Sequence, residues 1–174
     1  MSLGDIAVAR RVHWFPDGKH LLIVGATAGQ PLRTYEMDVD GGKPQAVGPE
    51  DWRGTAVAKD GKRIAGSRST GEAQVFNLEK QSKETVPGLH PNEEVQRWTE
   101  DGQGLLIVSA TPRGAEVYRV DAGNWKRTLL KEVEVGDTAG STAPVTLLYA
   151  EKSKTYVYCV KRVLGSLYVV EGLR

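Results

Sequence analysis

Sulfur is nearly absent from this chain, which carries one cysteine, Cys159, and two methionines in 174 residues. A lone cysteine excludes an internal disulfide, so the fold is held by packing and hydrogen bonds alone. It leaves the compartment open, since a fold without staples serves in reducing and oxidising surroundings alike. Histidine is scarce as well: His13, His20 and His90 are the full complement. A zinc site needs convergent ligands at close, paired spacing, and these three offer none. No apolar run approaches the ~18 residues of a membrane-spanning helix. The start, "MSLGDIAVAR", lacks the basic residues and apolar stretch of a secretory signal. Neither sign of charge dominates, with 23 Lys and Arg against 22 Asp and Glu. No global field therefore draws nucleic acid or an acidic substrate, and no basic stripe is interleaved with aromatics. No segment keeps an i, i+3, i+4, i+7 apolar pattern over ten residues, so no helix is expected.

What the chain does have is the composition of a folded domain, 40% hydrophobic and 26% charged. That balance argues against disorder, and the length suits one domain with a real core. Twenty glycines and eight prolines point to many turns. The abrupt start before a strand-like segment is read as the excised end of a longer protein, with Met1 to Leu3 left over from expression.

The chain also repeats itself. "WFPDGKHLLIVGAT" begins at Trp14, and "WTEDGQGLLIVSAT" begins at Trp98. Asp-Gly pairs at Asp17, Asp60 and Asp101 mark a period of about 40 residues, the size of a propeller blade. Around each pair lie four short segments. An apolar or aromatic one precedes it ("RRVHWF", "GTAVAK", "EVQRWT"). An apolar run follows ("HLLIVGA", "RIAGSRS", "GLLIVSA"), then an alternating segment ("TYEMDVD", "AQVFNLE", "AEVYRVD") and a weaker fourth ("KPQAVG", "KETVPG", "KRTLLKEV"). Runs of this length bounded by Gly, Pro and Asp read as strands, and Asp-Gly between two of them reads as a tight hairpin. Each unit is thus expected to be a four-stranded antiparallel meander.

A fourth unit aligns if Lys152-Ser153 replaces Asp-Gly. Tyr149 then matches Trp14, Val57 and Trp98, and "TYVYCV" matches "HLLIVG". The unit ends after its third strand, and a Gly/Ser/Thr-rich loop, "VEVGDTAGSTAP", precedes it. Met37, Phe76, Tyr118 and Tyr168 are aligned at one position of the third strand, and Val39, Leu78, Val120 and Val170 at the next on the same face. The prediction is a single all-β, propeller-type domain over residues 1–174, about four blades, covering approximately 8–50, 51–91, 92–135 and 143–174. Four blades form either a small ring or an open arc. Residues Asp5 to Ala9 are a candidate for the missing outer strand of the fourth unit, and a homodimer is a second way to complete an open propeller.

On these residues the chain resembles the TolB-type, WD-like propeller repeat. Phe15-Pro16-Asp17-Gly18-Lys19 and Asp38 to Gly42 carry the likeness most closely. Units two and three keep Asp-Gly and lose the proline. The last stretch, "KTYVYCVKRVLGSLYVVEGLR", resembles the C-terminal propeller region of bacterial Ser/Thr protein kinases. The resemblance implies a sensor or interaction region, placed outside the cytoplasm if a membrane segment precedes it. No kinase Gly-rich loop, His-Arg-Asp or Asp-Phe-Gly occurs in this chain.

No catalytic, cofactor-binding or metal-binding residue is assigned. Ser67, Ser69, Ser141 and Ser166 lack the Gly-x-Ser-x-Gly elbow, and "GDTAGSTA" lacks the Gly-Lys-Ser/Thr ending of a phosphate loop. Cys159 has no histidine in its unit and reads as a buried thiol. Trp14 and Trp98 read as filler between blades. Trp52 and Trp125 break the repeat and are the better candidates for a special role, Trp125 as a partner contact. Arg10-Arg11, Lys62-Arg63, Lys126-Arg127 and Lys161-Arg162 read as solvated strand edges. The expected role is a non-catalytic scaffold that binds a protein or small ligand, not nucleic acid, through "GATAGQP", "SATPRG" and "VGDTAGSTAP". The alternative is the propeller domain of a hydrolase, a peptidase or glycosidase, which requires inward-facing Asp, Glu or His.

Overall fold

The computed structural model describes residues 3–90, 93–136, 146–162 and 165. Among them there is no helix. Blade one holds β1 (Ile6–Trp14), β2 (His20–Thr27), β3 (Arg33–Asp38) and β4 (Gln45–Ala46). Blade two holds β5 (Trp52–Val57), β6 (Arg63–Arg68), β7 (Ala73–Asn77) and β8 (Ser82–Thr85). Blade three holds β9 (Glu93–Trp98), β10 (Gly104–Thr111), β11 (Gly114–Asp121) and β12 (Arg127–Glu134). β13 (Thr146–Ala150) and β14 (Thr155–Cys159) form a two-stranded sheet, the described part of blade four. Every sheet is an antiparallel meander in chain order.

The three Asp-Gly hairpins are built alike. Asp17 Oδ1 accepts the Lys19 backbone N–H at 2.8 Å, while Asp60 and Asp101 accept those of Lys62 and Gln103 at 2.9 Å. Gly18, Gly61 and Gly102 sit at φ of 66°, 69° and 70°, left-handed conformations that a side chain would strain. Each glycine N–H closes a β-turn onto the carbonyl of Phe15, Ala58 or Thr99. The repeat is thus a repeat of turn chemistry.

The apolar residues pack between sheets. Phe15, Leu22, Val47, Trp52, Ile64 and Phe76 join blades one and two. Ala56, Ala65, Val95, Trp98, Leu105 and Ile107 belong to the cluster between blades two and three. Leu106, Val117, Val133 and Leu147 bring blade three onto β13. Hydrogen bonds cross the same seams. Thr34 Oγ1 donates to the Trp52 carbonyl at 3.0 Å, Thr55 Oγ1 to the Val95 carbonyl at 3.1 Å and Trp98 Nε1 to the Ala56 carbonyl at 3.1 Å. Gln96 Nε2 donates to the Leu147 carbonyl, and Arg97 to that of Tyr149 at 3.0 Å.

Three expectations change. Asp5 to Ala9 does not supply an outer strand for blade four. Ile6, Val8 and Ala9 pair with Thr27, Ala26 and Gly25, extending the first hairpin. The eight-residue β2 needs a partner along its whole length, and the chain entering the Asp17 turn is the nearest one. Leu3 belongs to the fold too, packing on the cluster of Ile6, Leu21, Ile23, Tyr35 and Met37. In blade three the third strand is shifted by two residues. Leu21 faces Met37 and Ile64 faces Phe76, but Leu105 faces Val120. The Ala122 N–H bonds the Gln103 carbonyl as Val39 and Leu78 bond Lys19 and Lys62. Val120 therefore takes the place assigned to Tyr118, and Ala122 that assigned to Val120. Tyr168 and Val170 lie outside the described residues.

Candidate functional site

The first strand of each blade is its inner edge. β5 and β9 each carry a bulge, at Thr55 and Gln96, and β1 carries two, at Ala7 and Arg10. A bulge inserts one unpaired residue and re-aims its neighbours. In a regular strand Arg10 and Arg11 would face opposite sides of the sheet. With the bulge between them and Ala9, both line one cleft.

That cleft has a volume of about 300 Å³ and lies among blades one, two and three. Arg10 and Arg11 come from β1, Arg53 and Thr55 from β5, Ser67 from β6 and Glu94 from β9. Val24 and Leu32 supply the apolar wall. They flank "GATAGQP", so this second-to-third strand turn borders the cleft. Gly66 allows the strands to approach here: a Cβ on it would stand 2.1 Å from the Arg53 carbonyl oxygen.

The charges are unequal. Arg11 forms an ion pair with Glu94 across the cleft, joining the inner edges of blades one and three. Arg33 lies 3.4 Å from Glu50 and Arg68 4.0 Å from Glu72, both outside the lining. Arg10 and Arg53 have no ion-pair partner among the described residues. His13, two residues beyond Arg11, has its pKa lowered by burial and then by the Arg11 charge, which favours the neutral ring. Among the described residues no group of three or more His, Cys, Asp and Glu is placed to hold a metal ion.

The residues singled out in the sequence are dispersed. His20 is held at the first turn by Asp17 at 2.6 Å, and His90 is exposed beyond β8. Trp98 fills the seam between blades two and three as expected, but Trp14 is 60% exposed. Trp52, proposed for a special role, is wholly buried against Phe76. Trp125 is half-buried on the second core cluster and donates to Glu84 at 3.2 Å, so its indole N–H serves an inter-blade bond. Cys159 is exposed, as are all residues of β14, because β13 is the one strand paired with it among the described residues. Ser69 hydrogen-bonds Asp51, and Ser141, Ser166 and most of "VGDTAGSTAP" lie outside the described residues.

The cleft residues were read as solvated edges or passed over. One signal was available. The positions four residues before Trp14, Val57 and Trp98 are Arg10, Arg53 and Glu94, a charged residue at the same repeat position in three units.

No family model matches the chain, and no curated protein matches it. Solved structures do match in shape. TolB from Acinetobacter baumannii has a TM-score of 0.61 at 18% identity, over 88% of this chain and 41% of that one. A putative TolB from Agrobacterium tumefaciens has a TM-score of 0.64 at 16% identity, over 86% of this chain and 57% of that one. The fold is a TolB-like β-propeller, in part. The chain spans about half the length of those two structures. The same fold accommodates an enzyme: Pyrococcus horikoshii acylaminoacyl peptidase has a TM-score of 0.54 at 14% identity, over 86% of this chain and 28% of that one. No described helix is long and apolar enough to cross a membrane.

Proposed function

We propose that this TolB-like propeller segment is a non-catalytic recognition scaffold whose ligand or protein partner binds at the cleft between the inner strands. The observation that carries the reading is the cleft's lining. Among the described residues it has two arginines without an ion-pair partner, a hydroxyl without a side-chain partner and an apolar wall, while its one carboxylate, Glu94, is ion-paired to Arg11. Acid–base hydrolysis needs a carboxylate or imidazole free to move a proton, and the described residues of the lining include none. Backbone NMR of the labelled chain with a fragment set is the test. Shifts gathered at Arg10, Arg53, Thr55 and Ser67 support recognition there. Hydrolysis of peptide or glycoside substrates that Glu94→Gln abolishes would establish the second reading, a propeller that gates or forms a hydrolase site. The likeness to the acylaminoacyl peptidase favours that reading.

The likeness of the last 21 residues to bacterial kinase-linked propellers supports a wider setting, the C-terminal sensor region of a TolB-like or Ser/Thr kinase protein. The gene sequence upstream tests it: a kinase domain supports the sensor, and a hydrolase domain overturns it. A second copy completing the ring accounts for the apolar residues at the two ends of the blade series. Trp14 and Val12 of β1 are 60% and 49% exposed, and Leu148 and Val157 of the last hairpin 60% and 67%. Trp14 is also the repeat equivalent of Trp98, which is buried against a neighbouring blade. Light scattering that reports only a monomer at high concentration overturns the dimer.

A further inference from the structure

Among the described residues three arginines and one glutamate line the cleft, so together they carry two positive charges in a chain whose net charge is only +1. Glu94 is satisfied by Arg11, which leaves Arg10 and Arg53 to face whatever enters. Guanidinium groups present a planar fork of N–H donors that matches carboxylate oxygens two at a time. The other lining atoms refine the choice. Thr55 spends its hydroxyl on the Val95 carbonyl, whereas Ser67 has no side-chain partner among the described residues and is free to donate. Val24 and Leu32 give a wall that a carbon skeleton covers and an inorganic ion does not. A volume of about 300 Å³ is at the small end for ligand sites and suits a short organic acid or one acidic side chain.

We propose that this cleft binds carboxylates carried on a small organic skeleton, with Arg10 and Arg53 as the ion-pairing residues and Ser67 as a hydroxyl donor. The carboxylates come from a free dicarboxylic acid or from acidic side chains of a peptide. The proposal rests on the recognition reading above and narrows it to one ligand chemistry. The bulge at Arg10 is the device that makes it work, because it brings Arg10 and Arg11 to one side and lets Arg11 neutralise Glu94 while Arg10 stays available.

Calorimetric titration at low ionic strength, where exposed charges are least screened, tests it. The probes are succinate, an acetylated and amidated Glu-Glu dipeptide, inorganic phosphate and the neutral succinamide. Succinate or the dipeptide is expected to bind at one site, and the tighter of the two identifies the source. Arg10→Gln and Arg53→Gln each weaken that binding by about tenfold or more. Lys83→Gln, which removes an exposed charge on β8, leaves it unchanged. Circular dichroism confirms that the variants fold. Phosphate or succinamide binding as tightly as succinate overturns the proposal, as does binding that neither arginine variant weakens. If no anion binds while uncharged fragments shift the cleft resonances, the carboxylate proposal falls and recognition stands. If neither anions nor fragments reach the cleft, both fall.

Discussion

Two tryptophans separate packing from display at the scale of single residues. Trp52 is fully buried between blades one and two, among Phe15, Leu22, Val47, Ile64 and Phe76. Trp52→Ala should cost about 3–5 kcal/mol, read as a large drop in the denaturant midpoint. Trp14 stands mostly in solvent, so Trp14→Ala should change monomer stability by no more than about 0.5 kcal/mol in the same measurement. The sequence pointed the other way, treating Trp14 as filler and Trp52 as special. Trp14 occupies the position of Trp98, but which side of a blade is covered depends on its place in the stack, and that is invisible in a repeat. Asp101 gives a pH test. The Thr99 hydroxyl, the Gln103 N–H and then Arg119 hold its carboxyl down to about 2 from an ordinary 3.8. A depressed carboxyl stabilises the fold above its unfolded value, and that contribution is lost as pH falls through the folded value. Stability should therefore decline between pH about 4 and 2, and Asp101→Asn should flatten that part of the profile in acid unfolding monitored by circular dichroism.

At the scale of strands and sheets, glycine and bulge decide what alternation cannot. Gly66 faces Gly54 across the seam of β5 and β6, and a methyl group there would meet the Arg53 carbonyl. Gly66→Ala should destabilise by about 1–3 kcal/mol, seen as a lowered Tm, and should displace Arg53 from the cleft. The strands and the three hairpins were legible because Asp-Gly dictates one turn and is followed by a short apolar run and then an alternating one. The register of β11 was not. A slip of two residues returns every side chain to the same face, so an apolar test passes in either frame. The cleft was illegible for a related reason. Consecutive arginines in a strand imply opposite faces, and only the bulge at Arg10 puts them together.

Across the whole molecule, order should fall off from the centre of the stack. β10 is buried along six of its eight residues between two partner strands, whereas β14 is exposed throughout. Amide exchange should be slowest in β10 and fastest in β14, with β6 also protected, since local opening follows burial and pairing. Equal protection of β10 and β14 would show that the stack opens as one unit. The joints between blades have a further property. Six of the bonds that cross them have varied donors, two threonines, a glutamine, an arginine, a tryptophan and a lysine, and end on main-chain carbonyls: Trp52, Ala56, Val95, Glu100, Leu147 and Tyr149. A carbonyl is present whatever residue bears it. The accepting side of these six bonds can therefore drift through evolution without loosening them, and a shape held in this way outlives the sequence similarity by which relatives are usually known.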